Sequence, residues 1–239
     1  MRLAKYLASG GVASRRIAEE IVRAGRVSVA GETVLDPARD VGPGSAVAVD
    51  GKPVDTIPER VVYAVNKPPG VVSTARDPQR RPTIVSLVPM ELRLYPVGRL
   101  DIDSSGLILM TNDGELAYRL THPKFEVNKT YRVVLARPPV RDKALRSLRA
   151  GVQLEDGLTA PARVRRLAAD TIEITIHEGR NRQVKRMCEH VGYRVRHLER
   201  VQFGPLALGD LQPGAFRRLA EPELHALQEA GTGGPIRRS

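Results

Sequence analysis

Gly98-Arg99-Leu100-Asp101-Ile102-Asp103-Ser104-Ser105-Gly106-Leu107-Ile108-Leu109-Met110-Thr111-Asn112-Asp113-Gly114 decides how the rest of the chain is read. Two carboxylates and two hydroxyls sit in a glycine-bounded loop, and the apolar run Leu107 to Met110 that follows is short enough for a buried strand. Loops held by rigid elements are where chemistry tends to sit, so Asp101 and Asp103 are the first candidates for a working carboxylate. An Asp-Ser turn that only caps a strand fits the same spacing. Asn112-Asp113-Gly114-Glu115 has the form of a capping box, with Asn112 as the cap and Glu115 three residues on, which makes Asp113 structural.

Composition bounds the function. The chain has 239 residues and 41% hydrophobic content, enough for a sizeable core and for two domains. No run approaches the ~18 apolar residues of a membrane helix, and the start Met1-Arg2-Leu3-Ala4-Lys5-Tyr6 lacks the apolar centre of a signal peptide, so a soluble, cytoplasmic protein is expected. The single cysteine, Cys188, excludes an intramolecular disulfide and a cysteine-rich zinc cluster. With five scattered histidines, no metal and no cofactor are expected. The formal net charge is +11, and residues 1–60 hold nearly balanced charges, so the excess lies in the rest of the chain. A basic excess dominated by Arg, whose fork suits phosphates and stacks on bases, points to nucleic acid. Six tyrosines, three phenylalanines and no tryptophan argue against a broad single-strand stacking platform.

The first 60 residues read as two helices and a few strands. Leu3, Tyr6 and Leu7 share a face that stops at Gly10-Gly11. Ser14 is a plausible cap for a second helix, in which Ile17, Ile21 and Val22 make the buried face. Val27-Ser28-Val29 and Val47-Ala48-Val49 are strands with turns at Ala30-Gly31 and Asp50-Gly51. Pro53, Thr56 and Pro58 mark a linker, giving a domain boundary between 58 and 59. Beyond it, Val61 to Val65 is a buried strand ending at the rigid turn Asn66-Lys67-Pro68-Pro69-Gly70. Residues 74–82 form a basic surface loop. Lys129 to Leu135 alternates with Tyr131, Val133 and Leu135 on one face, and a helix spans about Lys143 to Arg149. Strands follow near Ala162 to Leu167 and Thr171 to His177. Hairpins and helical excursions of this kind give an α+β domain with a mixed, mainly antiparallel sheet, extending over 59–230. Residues 231–239 read as a disordered basic tail.

A second chemical stretch is Glu178-Gly179-Arg180-Asn181-Arg182-Gln183-Val184-Lys185-Arg186-Met187. Val184, Met187, Cys188 and Val191 form a helical stripe, leaving Arg182, Lys185 and Arg186 on other faces. A buried carboxylate stays ionised only beside a cation. At ~4 Å and an effective dielectric of about 20 that attraction is roughly 4 kcal/mol, and Lys185 is the candidate partner for Asp101. An Asp-x-Asp metal site at Asp101 and Asp103 lacks a third ligand nearby in sequence.

Two resemblances follow. Ala13-Ser14-Arg15-Arg16, Ala18-Glu19-Glu20-Ile21 and Gly25-Arg26-Val27-Ser28-Val29-Ala30-Gly31 resemble the S-four-type RNA-binding domain. With that module, Asn66 to Gly70, Gly98 to Gly114 and Glu178 to Met187 resemble the bacterial rRNA pseudouridine synthases, most closely the large-subunit branch, with the small-subunit branch second. The resemblance covers Arg2 to about Leu227. It implies cofactor-free isomerisation of a uridine within rRNA, 23S before 16S, by a monomer acting on an assembling ribosomal subunit. Asp101 would be the essential carboxylate, acting as nucleophile or base at the sugar, and Arg99 would fill the space left by the flipped uridine. Tyr131 would stack on the flipped base, and Lys185 would pair with Asp101 where relatives often carry Arg. Leu100 and Ile176 would wall the pocket, and Arg15, Arg16, Arg26, Lys67, Arg180 and Arg182 would meet RNA. A non-catalytic ribosome-assembly factor on the same scaffold, and a metal-dependent nuclease using Asp101 and Asp103, are the readings from other classes.

Overall fold

Two short helices open the chain in this computed structural model, which describes residues 1–42, 44–54, 59–89 and 92–232. They are α1 (Leu3–Ser9) and α2 (Arg15–Arg23). The Ser14 hydroxyl accepts the Ile17 N–H at 3.3 Å and caps α2, as its sequence position predicts. The buried face of α2 is Ala18 and Val22, whereas Ile17, expected inside, is 48% exposed. Ala18 and Val22 belong to the same buried cluster as Leu3, Tyr6 and Leu7 of α1, and Ile21 packs against it partly buried. Four short strands complete this unit, β1 (Val27–Val29), β2 (Glu32–Thr33), β3 (Val47–Val49) and β4 (Lys52–Pro53), in the antiparallel order β2-β1-β3-β4. Its two-residue hairpin turns, Ala30-Gly31 and Asp50-Gly51, take positive φ at both positions. Pro53, expected in a linker, lies in β4, while Thr56 and Pro58 lie outside the described residues.

The chain divides into two compact units, this one on Met1–Arg60 and a larger one on Val61–Met90 and the chain from Leu94 onward. In the larger unit the elements are, in order, β5 (Val62–Lys67), β6 (Tyr95–Val97), β7 (Ser105–Thr111), α3 (Gly114–Thr121), β8 (Lys129–Leu135), α4 (Asp142–Ala150), β9 (Gln153–Leu154), β10 (Gly157–Leu158), β11 (Arg163–Arg166), β12 (Thr171–Ile176), α5 (Gln183–His190), β13 (Val195–Phe203), β14 (Leu206–Ala207), β15 (Phe216–Arg218) and α6 (Glu221–Ala230). The large sheet runs β11-β12-β8-β13-β7-β5-β15, with β14 on β13 and β6 on β7. Its pairings are antiparallel except for β7 with β13. The mixed, mainly antiparallel α+β architecture read from the sequence is therefore present.

Every residue of β7 is buried, because β5 flanks it on one side and β13 and β6 on the other. Leu107 and Leu109 pack with Leu116, Leu120 and Leu227 from α3 and α6, and this core holds β7 in place. At the parallel seam Gly106 meets Arg200 so closely that only a residue without a side chain fits. The start of α3 corrects one expectation. Asp113, not Asn112, is the cap, its carboxylate accepting the Glu115 and Leu116 N–H groups at 2.9 and 3.1 Å. The Asn112 side chain is occupied elsewhere, accepting the Val61 N–H at 2.9 Å. Residues 233–239, most of the tail expected to be disordered, lie outside the described residues.

Candidate active site

The loop between β6 and β7 carries Asp101, and its neighbours on both sides are clamped. The buried Ser73 hydroxyl donates to the Leu100 carbonyl at 2.8 Å and accepts the Leu100 N–H at 3.1 Å. Gly70 N–H donates to the Ile102 carbonyl at 2.7 Å. Asp101 is thereby fixed between two residues held by the segment that follows β5, and Ser104 N–H closes a turn on its carbonyl at 3.1 Å. The Lys67-Pro68-Pro69-Gly70 turn is a brace for this loop. Lys67 itself corrects an expectation. It is fully buried, donating to the Pro68 and Val71 carbonyls at 2.9 and 2.8 Å, so it stiffens the brace instead of offering its charge at the surface. Burial presses its ammonium down to about 8, although Asp103 and Asp101 pull the other way.

Helix α5 brings the cation. Of the expected stripe, Val184, Met187 and Cys188 are buried, whereas Val191 is the C-cap beyond the helix and only half-buried; the buried three anchor the helix so that Lys185, itself 5% exposed, faces the loop. The Lys185 ammonium lies 2.5 Å from Asp103 Oδ1 and 3.5 Å from Asp101 Oδ2. Arg182, exposed at the head of α5, adds a longer contact to Asp103 at 3.9 Å. The Lys185 hydrogen bond holds the Asp103 carboxyl below the usual carboxylate range. Lys185 is expected to pair with Asp101, yet Asp103 takes the closer contact with the cation. An ammonium thus occupies the place between the two carboxylates where an Asp-x-Asp metal site would hold its ion.

A cavity of about 390 Å³ opens beside Asp101, within the range of small-ligand sites, roughly 300–1,000 Å³. Leu100, Tyr131, Ile176, Leu198 and Phe203 line it. Tyr131 is brought there by the alternation of β8, where it stands opposite Ile174 on one side and Arg200 on the other. Arg99, Arg180 and Arg182 also line the cavity, and Arg99 is exposed.

The other expected RNA contacts fall into two groups. Arg15 and Arg16 are exposed on α2, with Arg16 in a 3.8 Å pair with Glu20. Arg26 and Arg180 are engaged internally. Arg26 forms a bidentate pair with Asp50 at 2.9 and 2.5 Å, pinning the start of β1 to the β3–β4 turn. Arg180 donates to the Asp156, Gly157 and Leu158 carbonyls and to Glu178, stapling the β9–β10 hairpin to the head of α5. That hairpin was not foreseen. Sequence reading also missed Lys129 and Arg200 in the cavity wall. The available signal was a cation at an inward position of a strand, a pattern that polar surface strands blur.

Residues 61–190 match the RNA pseudouridylate synthase family, and residues 1–47 match the S4 domain. A ribosomal large subunit pseudouridine synthase B of Bacillus subtilis is 42% identical over 95% of both chains. An uncharacterized RNA pseudouridine synthase of Aquifex aeolicus is 41% identical over 96% of this chain and 94% of its own. The crystal structure of a pseudouridylate synthase superposes with a TM-score of 0.71 at 33% identity, covering 95% of this chain and 99% of that one. With a carboxylate held beside a buried cation at a cavity of ligand size, and with these matches along nearly its full length, the chain belongs to the RNA pseudouridylate synthase family.

Proposed function

We propose that the protein converts a specific uridine of large-subunit rRNA to pseudouridine. The observation that carries this reading is the buried Lys185 ammonium paired with Asp103 and Asp101, the latter lining a cavity walled by Tyr131. Asp101 acts at the sugar of the flipped nucleotide while the glycosidic bond moves from N1 to C5. Tyr131 stacks on the extruded base, returning ~1–3 kcal/mol of the few that flipping costs. Arg99, exposed on the rim, enters the gap left in the RNA stack. The basic surface supplies affinity through phosphates, and the S4 unit contributes Arg15 and Arg16. Large-subunit rRNA is favoured over small-subunit rRNA by the named Bacillus relative, whose identity spans both units.

The test is tritium release from C5 of labelled uridine in 23S and 16S rRNA, comparing wild type with Asp101→Asn. Release from 23S rRNA by wild type is expected, with a loss of at least about a thousandfold in the variant while RNA binding persists. Equal release by both proteins would remove Asp101 from the chemistry. Binding without release by either would favour the assembly factor, and release confined to 16S rRNA would move the substrate to the small subunit.

A further inference from the structure

Arg200 is buried at 2% exposure, on the cavity-facing side of β13 with Leu198. In the sheet register it stands opposite Tyr131 and beside Gly106, directly after the Asp101 loop. Its Nε donates to the Leu107 carbonyl at 2.6 Å, and its guanidinium lies over the Phe203 ring, 4.9 Å from the centroid. Its Nη2 donates to nothing. The guanidinium therefore keeps an unused donor in the cavity wall. The other unpartnered buried polar side-chain atom among the described residues is Ser104 Oγ, and Ser104 lines the same cavity. Lys129 lines it too, and its ammonium is pressed to about 8 by burial and then by Arg200. Arg200 and Lys129 thus bring two cationic side chains to a cavity whose lining also holds the carboxylates of Asp101 and Glu178.

Resting on the isomerase reading, we infer that Arg200 is a catalytic residue that hydrogen-bonds a carbonyl oxygen of the uracil and stabilises the base once it is released from the sugar. When the C1′–N1 bond breaks, its electron pair leaves with N1, and conjugation spreads the negative charge to the carbonyl oxygens. The base then turns, C1′–C5 forms, the C5 proton is lost to solvent and N1 takes one up, so the sum is an isomerisation. In that interval the free base is an anion, and a fixed donor at its edge acts where charge has developed. The cross-strand placement opposite Tyr131 puts the donor beside the ring that stacks on the base.

The test uses rRNA fragments in which the target uridine is replaced by 2-thiouridine or 4-thiouridine, because sulfur accepts hydrogen bonds more weakly than oxygen. Single-turnover conversion is measured for wild type, Arg200→Gln and Arg200→Lys. At one of the two positions sulfur should slow wild type about tenfold or more, as expected for loss of a charge-assisted bond. The same replacement should change Arg200→Gln by less than about twofold, with Arg200→Lys between them. A folding defect lowers both rates of a variant alike and leaves the oxygen-to-sulfur ratio readable. A ratio near one at both positions in wild type overturns the proposal, as does an equal penalty in wild type and Arg200→Gln. Failure of wild type to convert any uridine overturns the isomerase reading, and this inference with it.

Discussion

Gly106→Ala is expected to be among the most damaging single-methyl additions in the larger unit. Gly106 has a φ of +104°, and a Cβ there would lie 2.3 Å from the Arg200 carbonyl oxygen and 2.6 Å from its nitrogen. Both atoms are backbone in β13, which is itself laddered to β8, so no side chain can swing aside. Holding a non-glycine residue in this region costs about 1–3 kcal/mol, and forcing a packed backbone to shift adds about 1–3. A sum of about 2–6 kcal/mol is a large part of the roughly 5–15 that a domain possesses. With a urea dependence of about 1–3 kcal/mol per molar, the unfolding midpoint should fall by roughly 2 M. Gly179→Ala is the control, because a Cβ there meets nothing within 4 Å. It should stay within about 0.5 kcal/mol of wild type. Urea titrations followed by circular dichroism decide the matter, and equal midpoints for the two variants would refute the close-approach reasoning.

Lys185→Met leaves Asp101 and Asp103 facing each other without their ammonium, so tritium release should drop on the order of a hundredfold or more, whereas Lys185→Arg keeps the charge and should stay within about tenfold. A Met variant as active as wild type would dismiss the ion pair as incidental. Burial pushes the Cys188 thiol up to about 12, so a disulfide reagent at pH 8 should leave the folded protein untouched and titrate one thiol in urea. Rapid labelling of the native protein would contradict the packing of α5.

What could be read from the chain was whatever local chemistry dictates. Leu107 to Met110 reads as a buried strand because a continuous apolar run that short suits a strand better than a helix, and Val184, Met187 and Cys188 read as a helical stripe from their i, i+3, i+4 spacing. The misses have distant causes. Asn112 and Asp113 can both cap α3, and the choice is made by Val61, whose N–H claims Asn112 from 51 positions away. In α2 the apolar spacing includes Ile17, yet the helix buries Ala18 and Val22 and leaves Ile17 outside, a choice of face that depends on the packing of the whole unit. β13 hid behind Arg196, His197, Glu199 and Arg200, and its register shifts on either side of the 197–200 segment break the alternation that marks a strand. Lys67 belongs to the same class. A lysine next to Pro-Pro reads as surface, and only the fold shows two carbonyls turned inward to receive its ammonium.

The division of labour between the two aspartates follows from the same geometry. Lys185 is a point charge with three donors, and its shortest contact goes to Asp103, which stays ionised beside it. Asp101 is left at 3.5 Å, close enough to feel the charge and too far for a short hydrogen bond. On the proposed reading Asp101 must attack carbon or take a proton, and the longer contact spares its carboxylate the stronger of the two bonds. Asp103 absorbs the strong bond, while Ser73 and Gly70 fix the backbone on either side of Asp101. On that reading, the loop holds Asp101 by its neighbours and leaves its carboxylate free to meet the sugar.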